Sequence, residues 1–126
     1  MKKELASILL LVLLFAGSVF NIYYVDSLTR DIEEHIDQSQ SLAQKQDYES
    51  AIMYHNHALE RWLSADSYTH IFLRHTEIDL ATDAFYELLN NLKEPEEKAV
   101  SAAYAKLKYH LESIRTMEHI TLGSIF

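Results

Sequence analysis

A chain of 126 residues has room for one small domain and little besides. With two glycines and one proline it cannot supply the turns of a β-sandwich, so long uninterrupted helices are expected. It has no cysteine, which excludes disulfides and thiolate metal sites, and its net charge of −8 disfavours nucleic acid and anionic lipid headgroups as partners of the charged part.

The charge is unevenly placed. All but one of the 19 acids and all but two of the 11 bases follow Val25, leaving that part of the chain at about −9. Ahead of it, Leu5 to Val25 read LASILLLVLLFAGSVFNIYYV, with only Ser7, Ser18 and Asn21 clearly polar. About 20 helical residues cross a hydrocarbon core of roughly 30 Å. Tyr23 and Tyr24 stand at the far end, where amphipathic rings favour the interface, and Lys2 and Lys3 at the near end predict a cytoplasmic N-terminus. The remainder is then extracytoplasmic. Residues 1–25 are read as a cytoplasmic tip and transmembrane signal anchor, and residues 26–126 as the exported domain. A cleaved signal peptide is the alternative, because Ala16-Gly17-Ser18 resembles a small-residue cleavage site. Against it, hydrophobicity resumes at Val19 and runs to Val25.

Four helical segments follow. The first runs from Asp26 to about Gln46, with no Gly or Pro to separate it from the membrane helix, and its expected seam is Val25, Leu28, Ile32, His35, Ser39 and Leu42. Asp47 is the natural N-cap of the second, whose seam is Tyr48, Ile52, His55, Leu59 and Trp62. Ser64-Ala65-Asp66-Ser67 reads as a turn, with Asp66 or Ser67 capping the third helix. That helix carries Ile71, His75, Ile78, Thr82, Phe85, Leu89 and Leu92 on its seam. Pro95 suits the first turn of the fourth, followed by Glu96 and Glu97 near the positive end of the helix dipole, with a seam of Val100, Ala103, Leu107, His110, Ile114 and Met117. The ending Ile120-Thr121-Leu122-Gly123-Ser124-Ile125-Phe126 breaks the pattern as a short apolar tail. Short connections make neighbours antiparallel, so the fold class is all-α: an N-terminal transmembrane helix followed by an antiparallel three- to four-helix bundle.

Histidine is the enriched polar type, with seven copies. His35, His55, His75 and His110 fall on four different seams at similar distances from the intervening turns, so an ideal bundle would gather four imidazoles in one layer. Such a layer suits a transition metal or a pH-responsive core. The competing reading is four margin histidines bonded to water or nearby acids. Glu-x-x-His pairs of di-iron bundles and the His-Glu-x-x-His zinc pattern are both missing. In His75-Thr76-Glu77-Ile78-Asp79 the two acids lie two residues apart, which on a helix points them in different directions. There is no Gly-x-Ser-x-Gly elbow and no Gly-rich phosphate loop. Nothing recommends an enzyme, a cofactor or a small-molecule substrate. Trp62 and Tyr104 are either core residues or anchors for a partner protein. The stretch Asp47 to Leu59 resembles one helix of a tetratricopeptide repeat, but no second copy follows at the 34-residue period such arrays need.

The order of these features resembles a bacterial family, domain of unknown function 4363. The resemblance rests on the lysine-led apolar helix, the Asp47-Tyr48 helix opening, Trp62, the His75–Asp79 segment and the ending Ile120–Phe126. It implies small single-pass proteins of Gram-positive, often spore-forming, bacteria. It implies no activity, cofactor or functional residue. The expected role is contact with another membrane protein, or with a second copy, at the outer face of the cytoplasmic membrane. A metal-binding or pH-sensing bundle is the alternative.

Overall fold

The structure is a computed structural model that describes the backbone of residues 1–65 and 75–125 and the side chains of residues 1–65 and 76–117. The expected cap at Asp66 or Ser67, Ile71, the His75 side chain and the side chains of the 120–126 ending lie outside the described residues.

Among the described residues four helices follow one another: α1 (Lys2–Gln44), α2 (Tyr48–Ser64), α3 (His75–Lys93) and α4 (Glu97–Ile125). The apolar segment and the first bundle helix are one rod of 43 residues, roughly 65 Å long. With no Pro and one Gly between Lys2 and Gln44, nothing in the sequence interrupts the hydrogen-bond ladder. The α1 rod has two surroundings. From Lys2 to Gly17 every residue is exposed, and the first fully buried one is Val25. α1 is the one helix among the described residues long and apolar enough to cross a membrane.

The bundle is antiparallel throughout. Asp31 and Ser39 of α1 meet Arg61 and Ala51 of α2, in reversed order. His55 and Trp62 of α2 meet Phe85 and Thr82 of α3. Glu87 of α3 meets Lys106 of α4 at 2.8 Å. Arg115 and Lys108 of α4 return to Glu33 and Asp37 of α1. Among the described residues each helix therefore packs on two neighbours in a closed ring of four, at the upper end of the expected three- to four-helix bundle.

The sharpest corner is α1 to α2. Gln46 N–H donates to the Ala43 carbonyl and Asp47 N–H to the Leu42 carbonyl, both at 2.9 Å, which closes α1 in a Schellman motif. Gln46 takes the left-handed position at φ 65°, where glycine is usual. Asp47 then opens α2 as expected, its carboxylate accepting from Ser50 N–H at 3.3 Å. Three residues thus separate the helices, which forces α2 back along α1.

Two boundaries differ from expectation. α4 begins at Glu97, with the Glu96 carbonyl accepting from Val100 N–H at 2.9 Å, so Pro95 stands just ahead of the helix rather than in its first turn. α4 also continues to Ile125, through the segment expected to break off as a tail. A lone glycine at 123 costs a helix only about 1 kcal/mol, and no proline follows to stop it.

The core is aliphatic with small residues at the close crossings. Leu28, Ile32 and Ile36 of α1 face Ala51, Ala58 and Leu59 of α2, with Leu88 and Leu92 of α3 and Leu107, Leu111 and Ile114 of α4. Ala51, Ala58 and Ala65 recur every seven residues, which keeps one stripe of α2 narrow.

Candidate functional site

The three seam histidines whose side chains are described have different fates. His55 is fully buried, with Nε2 2.8 Å from the Phe85 carbonyl oxygen. A carbonyl can only accept, so Nε2 carries the hydrogen. Its ring meets Phe85 edge-on at 5.8 Å, and Nδ1 lies 3.3 Å from Asn56 Oδ1. Burial pushes its pKa below the ordinary 6.5, against hydrogen bonds to Asn56 and Phe85 that favour the charged form.

His35 and His110 leave the seam. Ile36 and Leu111, one residue later, take the core positions, and both histidines are half-exposed at the bundle margin. His35 Nδ1 donates to the carbonyl of Asp31 at 2.8 Å. Its ring faces that of His57, which was not on any expected seam, at 6.3 Å. His110 packs edge-on against its neighbour Tyr109. Among the described residues no three or more His, Cys, Asp or Glu side chains converge as a metal site. Glu77 is half-exposed and Asp79 exposed.

Trp62 and Tyr104 are core residues, not surface anchors. Trp62 is 2% exposed and Tyr104 0%. Trp62 stacks at a tilt on Phe85, 6.1 Å away, and its Nε1–H donates to Thr82 Oγ1 at 2.9 Å. Thr82 sends its own hydroxyl hydrogen to the Ile78 carbonyl. The indole is thereby satisfied without a partner chain.

Periodicity alone did not reveal a second buried polar contact. Ser39 Oγ lies 2.6 Å from the Ala51 carbonyl and 2.7 Å from the Tyr104 hydroxyl. The carbonyl takes the one serine hydrogen, so Tyr104 O–H donates to Ser39 Oγ. Three helices are joined at this point: α1, α2 and α4. Burial holds the Tyr104 phenol above its ordinary pKa of 10. Beside it, at the end of the bundle away from the apolar half of α1, lies a cleft of about 260 Å³ lined by Gln40, Gln44, Tyr48, Glu97, Ser101 and Tyr104. It is smaller than the roughly 300–1,000 Å³ of most small-molecule sites, and it holds no nucleophile paired with a base.

The outer faces carry ion pairs. Glu33 of α1 meets Arg115 of α4 at 3.6 Å, and Arg115 also pairs with Glu112. Burial raises the Glu33 pKa, which Arg115 partly offsets.

A lysine-led apolar helix, a capped Asp47 turn, a buried Trp62 and a closed four-helix ring are what a family comparison has to fit. The domain of unknown function DUF4363 matches residues 19–125. The chain belongs to that family. The DUF4363 match begins inside the apolar half of α1, so the family unit takes in the last turns of that half together with the whole bundle. No curated protein and no solved structure matches the chain.

Proposed function

We propose that this chain is a single-pass membrane protein whose four-helix bundle stands at the outer face of a bacterial cytoplasmic membrane and works by contact with another membrane protein. The observation that carries the reading is the unbroken α1 rod. From Leu5 to Gly17 it is exposed around its whole circumference, which is stable only in lipid or under another protein, and it enters the bundle core without a hinge. A bundle held this way has a fixed height above the membrane and moves with the span as one body. That suits an accessory subunit presenting a surface to a neighbour in the same bilayer. The acidic bundle favours a partner with basic patches and is repelled by nucleic acid.

Crosslinking in living cells, followed by purification of the tagged full-length chain and mass spectrometry, tests the proposal. One protein recovered in near-stoichiometric amount supports it. Recovery of self-crosslinked chain alone replaces the partner with a second copy. Recovery of nothing above background refutes a contact function.

His55 favours a second reading, a bundle that loosens in acid. Its neutral ring is sealed among Asn56, Phe85 and the aliphatic core, where a charged ring would be poorly solvated. Partner recovery that falls at pH 5 in wild type, and not in a His55→Gln variant, would support that reading over a constitutive contact.

A further inference from the structure

The bundle does not stop where the apolar segment begins. Along α1 the residues from Lys2 to Gly17 are all exposed, but Ser18, Val19, Asn21, Ile22 and Tyr24 are half-buried. The spacing of Ser18, Asn21 and Val25 continues, at helical period, the seam of Leu28, Ile32 and Ile36. The packed face of α1 therefore reaches about two turns back into the apolar half, and the DUF4363 match starts at the same level, residue 19.

The antiparallel register brings the end of α4 down to the last of those turns. Glu33 of α1 is level with Arg115 of α4. Ten residues beyond Arg115 lies Ile125, the last residue of α4, and ten residues before Glu33 lies Tyr23. At the same rise per residue in both helices, Ile125 stands level with about Tyr23. The segment that makes this descent, Ile120-Thr121-Leu122-Gly123-Ser124-Ile125, has three large apolar residues in six and no charge. It follows a stretch of α4 that carries Lys106, Lys108, Glu112 and Arg115, so the composition changes as the helix comes down.

If Leu5 to about Tyr24 fills the hydrocarbon layer, then the level of Tyr23 is its outer edge, where an uncharged helix end is stable against the headgroup–acyl boundary. We propose that the last two turns of α4 sit in the outer interfacial layer of the membrane, level with residues 23–29 of α1, so that the chain meets lipid at two places, one helix crossing and one dipping in. This proposal rests on α1 spanning the membrane. The ligand is the lipid interface itself. Two insertions from different helices restrain the tilt of the bundle against the membrane plane, which one spanning helix alone does not do.

The absence of cysteine makes the test clean, because any introduced thiol is the only one. Three full-length variants, Leu10→Cys, Ser124→Cys and Ser101→Cys, are labelled with an environment-sensitive nitrobenzoxadiazole dye and reconstituted in nanodiscs, with helicity checked by circular dichroism. Lipids carrying a nitroxide near the headgroup or deep in the acyl chain then quench any dye they reach. Expected results are strong loss of emission at position 10 with deep nitroxide, strong loss and a blue shift at position 124 with shallow nitroxide, and neither at position 101. Quenching at 10 but none at 124 overturns the interfacial α4 and leaves the span standing. No quenching at 10 removes the span, and this proposal with it. A blue-shifted dye at 124 that no nitroxide quenches means that protein covers the segment, which also overturns the proposal. Should Ser124→Cys fail the helicity check, Thr121→Cys takes its place with the same expected results.

Discussion

Replacing Ser39 by Ala and Tyr104 by Phe, singly and together, tests the one buried contact that ties α1, α2 and α4. Tyr104→Phe removes the donor to Ser39 Oγ but leaves the serine bonded to the Ala51 carbonyl, so no buried group is orphaned. A loss of about 1 kcal/mol is expected, the net worth of an ordinary buried hydrogen bond. Ser39→Ala is worse, because the Tyr104 hydroxyl stays buried at 0% exposure with nothing to donate to. Leaving a buried polar group unsatisfied costs about 1–3 kcal/mol, so about 2 kcal/mol is expected. In the double variant the stranded hydroxyl is gone, and the loss should be no greater than for Ser39→Ala alone. The pair therefore couples by about 1 kcal/mol or more. Thermal melts of the full chain in mild detergent, followed by circular dichroism, report these differences as shifts of about 4 °C per kcal/mol for a bundle of this size. Losses that simply add would show that the two hydroxyls do not meet, and the placement of α4 against α1 would be wrong.

Other variants probe the remaining packing. Trp62→Ala should cost about 3–5 kcal/mol, since the indole is 2% exposed and wedged against Phe85; a loss below about 1 kcal/mol would mean that it is not core. Gln46→Gly should raise the melting midpoint, by about 0.5–1 kcal/mol of stability, because φ 65° strains a residue with a Cβ; no change or a loss would remove the Schellman corner. Melting should also depend on pH through His55. Its folded pKa is lowered, so the unfolded chain binds the proton first, and stability should be full above the ordinary 6.5 and fall as pH drops from there toward the lowered folded value. A His55→Gln variant should be flat across that window, and a wild-type midpoint that rises on acidification there would contradict the buried neutral ring.

The helices were legible because scarce Gly and Pro leave few places to end one, and because apolar residues recur at three and four. Asp47 was legible as a cap, since a carboxylate ahead of an amphipathic run has that one common use. The corner at Gln46 was not, for the usual glycine is missing there. His35 and His110 mark where the seam slips. At that step the core takes the residue four along, Ile36 and Leu111, and the expected seam is buried again at Ser39 and Ile114, because the face packed between two neighbouring helices is wider than a strict three-and-four stripe. Of the seam histidines whose side chains are described, His55 kept its place, and there its partner, the Phe85 carbonyl, belongs to a helix thirty residues away. The roles of Trp62 and Tyr104 were undecidable from periodicity for the same reason: Thr82 and Ser39, which satisfy them, are brought close only by the packing of separate helices. The ending at 120–126 was misread as a break because its composition changes, whereas composition decides what a helix faces rather than whether it continues.

The central claim is that one helix is both membrane span and bundle core, with the bundle outside. Labelling intact cells with a membrane-impermeant maleimide tests it most directly, using full-length Lys3→Cys and Glu49→Cys variants, each with its only thiol at an exposed position. The account predicts that both variants stay in carbonate-washed membranes, that position 49 labels in intact cells and that position 3 labels only after permeabilisation. Position 3 labelling without permeabilisation, position 49 requiring it, or either chain washing free of the membrane would contradict the account.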